Sequence, residues 1–148
     1  MELAEHDKDL VFLTGDLGFN FVEPFAQKYP KQYVNCGCLE DSMVDIAVGM
    51  SLSGKKPYVY SVINFLLFRA YEQVRSDVAH ENTNVKLVGY HGSAGFGFLG
   101  ISHNITEDED VKVLSHLPIQ ICIPKNARKL HSEMIETYKS KMPTYIRL

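Results

Sequence analysis

The run Leu10-Val-Phe-Leu-Thr14 is apolar, too short for a helix, and followed at once by Gly15-Asp-Leu-Gly18. An apolar run of that length, closed by glycine, reads as a strand buried on both faces. Such a strand needs helices above and below it. The pattern then recurs along the chain. Strands are predicted at 10–14, 32–35, 58–62, 85–90, 119–123 and 144–148, and helices at 21–28, 41–52, 65–80, 107–114 and 127–139. Strands alternating with helices predict an α/β fold, a three-layer α/β/α arrangement around a mainly parallel six-stranded sheet. Gly54 stands where a helix C-cap glycine belongs, and Lys55-Lys-Pro57 leads into the next strand. The 148 residues contain no linker, repeat or low-complexity tract, which predicts a single domain over 1–148.

Charge and composition then remove whole classes of function. Fifteen basic against 18 acidic residues give a net charge of -3, without the basic footprint of a nucleic-acid binder. No apolar run has the length needed to span a bilayer, and the first ten residues, MELAEHDKDL, are charged throughout, unlike a signal peptide. Three cysteines, Cys36, Cys38 and Cys122, are odd in number and too few for a disulfide framework. A reducing, cytoplasmic setting is the expectation. Cys36-Gly-Cys38 has no second Cys/His pair to complete a zinc site, so no metal is assigned to the chain.

Ligands of parallel sheets bind beyond the carboxyl ends of the strands, which directs attention to loops 15–20, 35–40, 63–65, 90–104 and 124–126. Glu40 stands at the junction of the second strand and the helix after it. A carboxylate there is either a first-turn charge stabilised by the helix dipole or a functional acid, and it begins a helix rather than filling a core. Phe65, Phe68 and Tyr71 recur at three-residue steps, which in an α-helix is one face, suited to a core stripe or to stacking on a planar heterocycle. Tyr90-His-Gly-Ser-Ala-Gly-Phe-Gly-Phe-Leu-Gly-Ile-Ser-His103 holds four glycines and a histidine near each end, fit for close ligand approach and acid–base chemistry. It is neither a dinucleotide fingerprint nor a P-loop.

In order and spacing, four blocks resemble the pyrimidine-binding domain of transketolase-type thiamine diphosphate enzymes. They are Leu13-Thr-Gly-Asp-Leu-Gly18, Leu39-Glu-Asp-Ser-Met-Val-Asp-Ile-Ala-Val-Gly-Met50, Asn64 to Tyr71 with Gln73-Val-Arg-Ser-Asp-Val, and His91 to Asn104 with Glu107-Asp108. The resemblance implies thiamine diphosphate as cofactor, with Glu40 hydrogen-bonded to N1' of the aminopyrimidine so that its imino tautomer takes the C2 proton. It further implies that Phe65, Phe68 and Tyr71 line the pyrimidine pocket, with Phe68 under the ring. His91 and His103 would face the reacting centre as catalytic groups, and Asp16 and Leu17 would lie near cofactor and subunit interface.

The implied reaction is transfer of a two-carbon ketol unit between sugars. Alternatives are a thiamine-diphosphate-dependent 2-oxo acid decarboxylase or dehydrogenase subunit, or a non-catalytic regulatory partner. Leu99, Ile123 and Asn20 stand where the family carries an aspartate, an arginine and a serine, implying weaker recognition of sugar phosphates. The Gly-Asp-Gly…Asn motif that holds the diphosphate and its magnesium is not in this sequence. The resemblance therefore implies the C-terminal subunit of a split transketolase, or a fragment of one. A diphosphate-binding partner would carry the Mg2+, and the enzyme would be a homo- or hetero-oligomer.

Overall fold

A computed structural model describes residues 1–90 and 97–148. The strands are β1 (Leu10–Thr14), β2 (Tyr33–Asn35), β3 (Lys56–Val62), β4 (Lys86–Tyr90), β5 (Gln120–Cys122) and β6 (Thr144–Arg147). All pair in parallel, in the order β2-β1-β3-β4-β6-β5. The α-helices are α1 (Glu2–His6), α2 (Glu23–Lys28), α3 (Glu40–Leu52), α4 (Tyr71–Gln73), α5 (Glu109–Leu114) and α6 (Ala127–Lys139).

Alternation along each strand divides the core in two. Val11, Leu13, Val59, Leu87 and Tyr145 face Met43, Val44 and Ala47 of α3, together with Leu66, Leu67, Val74 and Leu114. Leu10, Tyr58, Tyr60, Val88 and Ile146 face the opposite layer, with Ala4, Phe25, Leu130 and Met134 from α1, α2 and α6. This is the expected α/β/α arrangement, with the sheet wholly parallel.

Helix α1 lies outside the expected elements and several other ends move by one or two residues, while three departures have clear physical reasons. β3 begins at Lys56 rather than Tyr58, because Pro57 pairs with Val11 on one side while pairing with β4 starts only at Tyr58. Its missing N–H therefore interrupts no second ladder. The helix expected over 65–80 is instead a π-helical turn at Asn64–Arg69, the short α4, and a second π-helical stretch at Val74–His80. The wider turn allows Leu66 and Leu67, adjacent in sequence, both to be fully buried. Helix α5 starts at Glu109, not Glu107, because Glu107 and Asp108 both take positive φ (48° and 57°). Gly54 behaves as expected: at φ 87° it follows α3, while Lys55 N–H donates to the Met50 carbonyl and Gly54 N–H to that of Ser51.

Candidate functional site

Several loops meet above the carboxyl ends of β1, β2 and β3, and Glu40 lies among them. Its backbone opens α3, as expected, but its side chain turns inward and the residue is only 2% exposed. The expectation that Glu40 begins a helix without entering the core is thus half corrected. Ser61, near the end of β3, donates from Oγ to Glu40 Oε1 at 3.1 Å, and Arg69 donates from Nη1 to Oε2 at 2.7 Å. Gly15, just past β1, completes the cradle: a Cβ there would lie 3.1 Å from Oε1. A carboxylate accepts about four hydrogen bonds, so this buried group keeps acceptor capacity beyond Ser61 and Arg69. That remaining capacity suits a ring nitrogen bearing a proton.

The aromatic stripe is divided by the π-helical turn. Three-residue spacing aligns side chains in an α-helix, and the wider turn breaks that alignment. Phe65 stacks against the Arg69 guanidinium, with Cζ 4.5 Å from the ring centroid, and meets the His103 ring edge-on at 4.9 Å and 83°. Phe68 is 38% exposed and borders a shallow hollow with Glu109, Lys112, Val113 and His116. Tyr71 leans the same way, its hydroxyl 2.9 Å from His116 Nε2. Phe65 therefore adjoins the Glu40–Arg69 pair, while Phe68 opens on the hollow beside His116.

His103 follows two short helical turns kinked at Gly100 (φ 66°), and its Nδ1 lies 2.8 Å from Ser102 Oγ. Asn64 ties this segment to the π-helical turn, donating from Nδ2 to the carbonyls of Ile101 (3.0 Å) and Asn104 (3.3 Å). The expected catalytic His91 lies outside the described residues. Asp16 has a left-handed backbone (φ 55°) and pairs reciprocally with Asn35 at 3.0 and 3.1 Å, while Leu17 packs toward the opposite core. Asp16 and Leu17 thus follow Gly15 directly at the edge of the site, with Asp16 tied to Asn35. All three cysteines are free thiols, with burial raising the pKa of Cys36. Among the described residues no three His, Cys, Asp or Glu side chains form a cation site.

Sequence patterns give Arg69 and Ser61 no role and mark Gly15 only as the turn that closes the first strand. A lone arginine closing the run Phe65-Leu-Leu-Phe68 is the available signal for the first, since an unpaired charge is costly beside a packed core.

The sequence matches the transketolase pyrimidine-binding domain over residues 1–148. The chain belongs to this family. Membership implies thiamine diphosphate as the family's cofactor. It is 35% identical over 150 residues to an apulose-4-phosphate transketolase subunit of Phocaeicola vulgatus, covering 100% of this chain and 47% of that protein. To a 6-deoxy-6-sulfo-D-fructose transketolase subunit of a Clostridium species it is 29% identical, covering 100% of this chain and 46% of the relative. A solved structure described as a split gene transketolase, inactive beta4 tetramer, superposes with TM-score 0.86 at 29% identity, over 99% of this chain and 47% of that one. The transketolase of Leishmania mexicana shares the fold, with TM-score 0.83 at 22% identity over 98% of this chain and 23% of that one. The chain thus spans about half the length of these subunit relatives.

Proposed function

We propose that this chain, with residues 1–148 as its pyrimidine-binding unit, is half of a thiamine-diphosphate-dependent transketolase-like enzyme. It transfers a two-carbon ketol unit between sugars and works in the cytoplasm as an oligomer with a diphosphate-binding partner. The observation that carries this reading is the buried Glu40 carboxylate, oriented by Ser61 and Arg69 and retaining acceptor capacity. The subunit names of relatives twice as long support the division of labour.

When bound, the cofactor would supply a nucleophilic carbon on its thiazolium ring, and the cationic ring would be the electron sink this chemistry requires. Glu40 is the group that would accept the hydrogen bond from N1' and hold a proton there. Phe65, beside the Glu40–Arg69 pair, is assigned to the pyrimidine, with Phe68 and Tyr71 on the adjoining rim of the pocket and Asp16 and Leu17 bordering it. His103, and His91 from the same glycine-rich loop, are assigned to the substrate side, where an imidazole donates to or takes a proton from a sugar oxygen. The partner, carrying the Gly-Asp-Gly…Asn motif not found in this sequence, is assigned the diphosphate and Mg2+.

Calorimetry with thiamine diphosphate and magnesium tests the assignment. Tight binding is expected only when this chain is mixed with a diphosphate-binding subunit. Tight, magnesium-dependent binding by this chain alone would sink it.

A further inference from the structure

We propose that Arg69 is a positioning residue for the Glu40 carboxylate, held in place by its stacking on Phe65. This rests on the reading of Glu40 as the cofactor's proton partner. The two ends of the carboxylate are held differently. Oε1 accepts from the Ser61 hydroxyl on β3 and faces Gly15 just past β1, where a Cβ would lie 3.1 Å away. Oε2 has Arg69 at 2.7 Å, and the Arg69 side chain is 47% exposed. A half-exposed arginine left to itself samples many rotamers and orders its partner poorly.

Two features restrict it here. The planar guanidinium lies against the Phe65 ring at 4.5 Å, a contact that suits arginine's delocalised fork and that an ammonium cannot reproduce face to face. The π-helical turn carrying both residues is pinned by the Asn64 amide to the carbonyls of Ile101 and Asn104. Such turns are found frequently at functional sites. Phe65 also meets His103 edge-on at 4.9 Å. A single ring therefore braces the arginine behind Glu40 and touches the histidine assigned to the substrate side.

The test uses the full chain and its assembly with the partner. Arg69→Met removes the pair, Arg69→Lys keeps the charge without the flat stack, and Phe65→Leu removes the stack without touching the pair. In the full chain, NMR of isotopically labelled glutamate carboxyls follows Glu40, its signal identified by its loss in Glu40→Gln. The Glu40 signal is expected to move in R69M and F65L and to return toward the wild-type position in R69K. In the assembled enzyme, R69M is expected to slow exchange of the cofactor's C2 proton by about 10²-fold, the scale of a misplaced catalytic group. The loss should fall on kcat rather than KM, with R69K recovering about tenfold of it.

If R69M fails to fold, R69K and F65L carry the same readouts. The proposal is overturned if E40Q abolishes exchange while the Arg69 and Phe65 variants keep wild-type exchange and an unmoved Glu40 signal. If E40Q itself exchanges normally, the reading of Glu40 fails first, and that outcome is distinct.

Discussion

Asp110 is fully buried, and its carboxylate accepts from two sides. Tyr145 donates its hydroxyl to Oδ2 at 2.6 Å and Arg147 donates to Oδ1 at 3.0 Å. Burial pushes the Tyr145 phenol well above its usual pKa, and the hydrogen bond to Asp110 adds to the shift. The same Arg147 nitrogen reaches Asp108 at 2.6 Å, clamping the left-handed turn at Glu107 and Asp108 to the end of β6. Three substitutions separate the contributions. Arg147→Met leaves a buried carboxylate without its cation and should destabilise by about 3–5 kcal/mol. Asp110→Asn keeps an acceptor for Tyr145 but loses the charge, costing about 1.5–3 kcal/mol. Tyr145→Phe removes one donor while Arg147 still pairs the carboxylate, costing about 1–2 kcal/mol. Urea unfolding at neutral pH gives the ranking directly. An R147M cost below about 1 kcal/mol, or Y145F as the most damaging change, would refute the clamp.

Two further outcomes are expected. Hydrogen bonds from Lys56 and then Tyr138 hold the Asp7 pKa at about 2, against an ordinary 3.8. Its stabilisation is therefore complete above the unfolded value and lost as pH falls from there through about 2. Asp7→Asn should cost about 2 kcal/mol at neutral pH. The gap from wild type should close in acid, and a gap that persists unchanged would contradict the assignment. Gly15→Ala places a methyl 3.1 Å from Glu40 Oε1. It should lower C2 proton exchange about tenfold with little change in melting, and wild-type exchange would show that the cradle has slack.

Much of the fold was legible because buried parallel strands are written as continuous apolar runs. Val11, Leu13, Val59 and Leu87 sit in such runs and are covered by a helical layer that includes α3. What escaped the sequence was local geometry. Nothing in Asn64–His80 announces π-helical turns, which arise when packing against α3 and the sheet overrides the α-helical spacing. The wider turn offsets residues three apart, such as Phe65 and Phe68, whereas Phe65 and Arg69, four apart, keep a common face and stay in contact. Glu40 could be placed at a helix start from its neighbours, but its burial depends on Ser61, 21 residues away, and Arg69, 29 residues away. Distant partners of this kind leave no periodic trace. The resemblance to a family supplied the role of Glu40, and the structure supplied its surroundings.

Exchange of the thiamine diphosphate C2 proton in the assembled enzyme, wild type against Glu40→Gln, reaches the central claim most directly. Because Glu40 is buried and paired, a stability loss of about 1–3 kcal/mol is expected, larger than a helix-start charge would give, so a melt accompanies the measurement. The folded variant should exchange about 10²–10⁴ times more slowly than wild type. A folded E40Q enzyme exchanging at the wild-type rate would contradict the account and leave Glu40 as half of a structural ion pair.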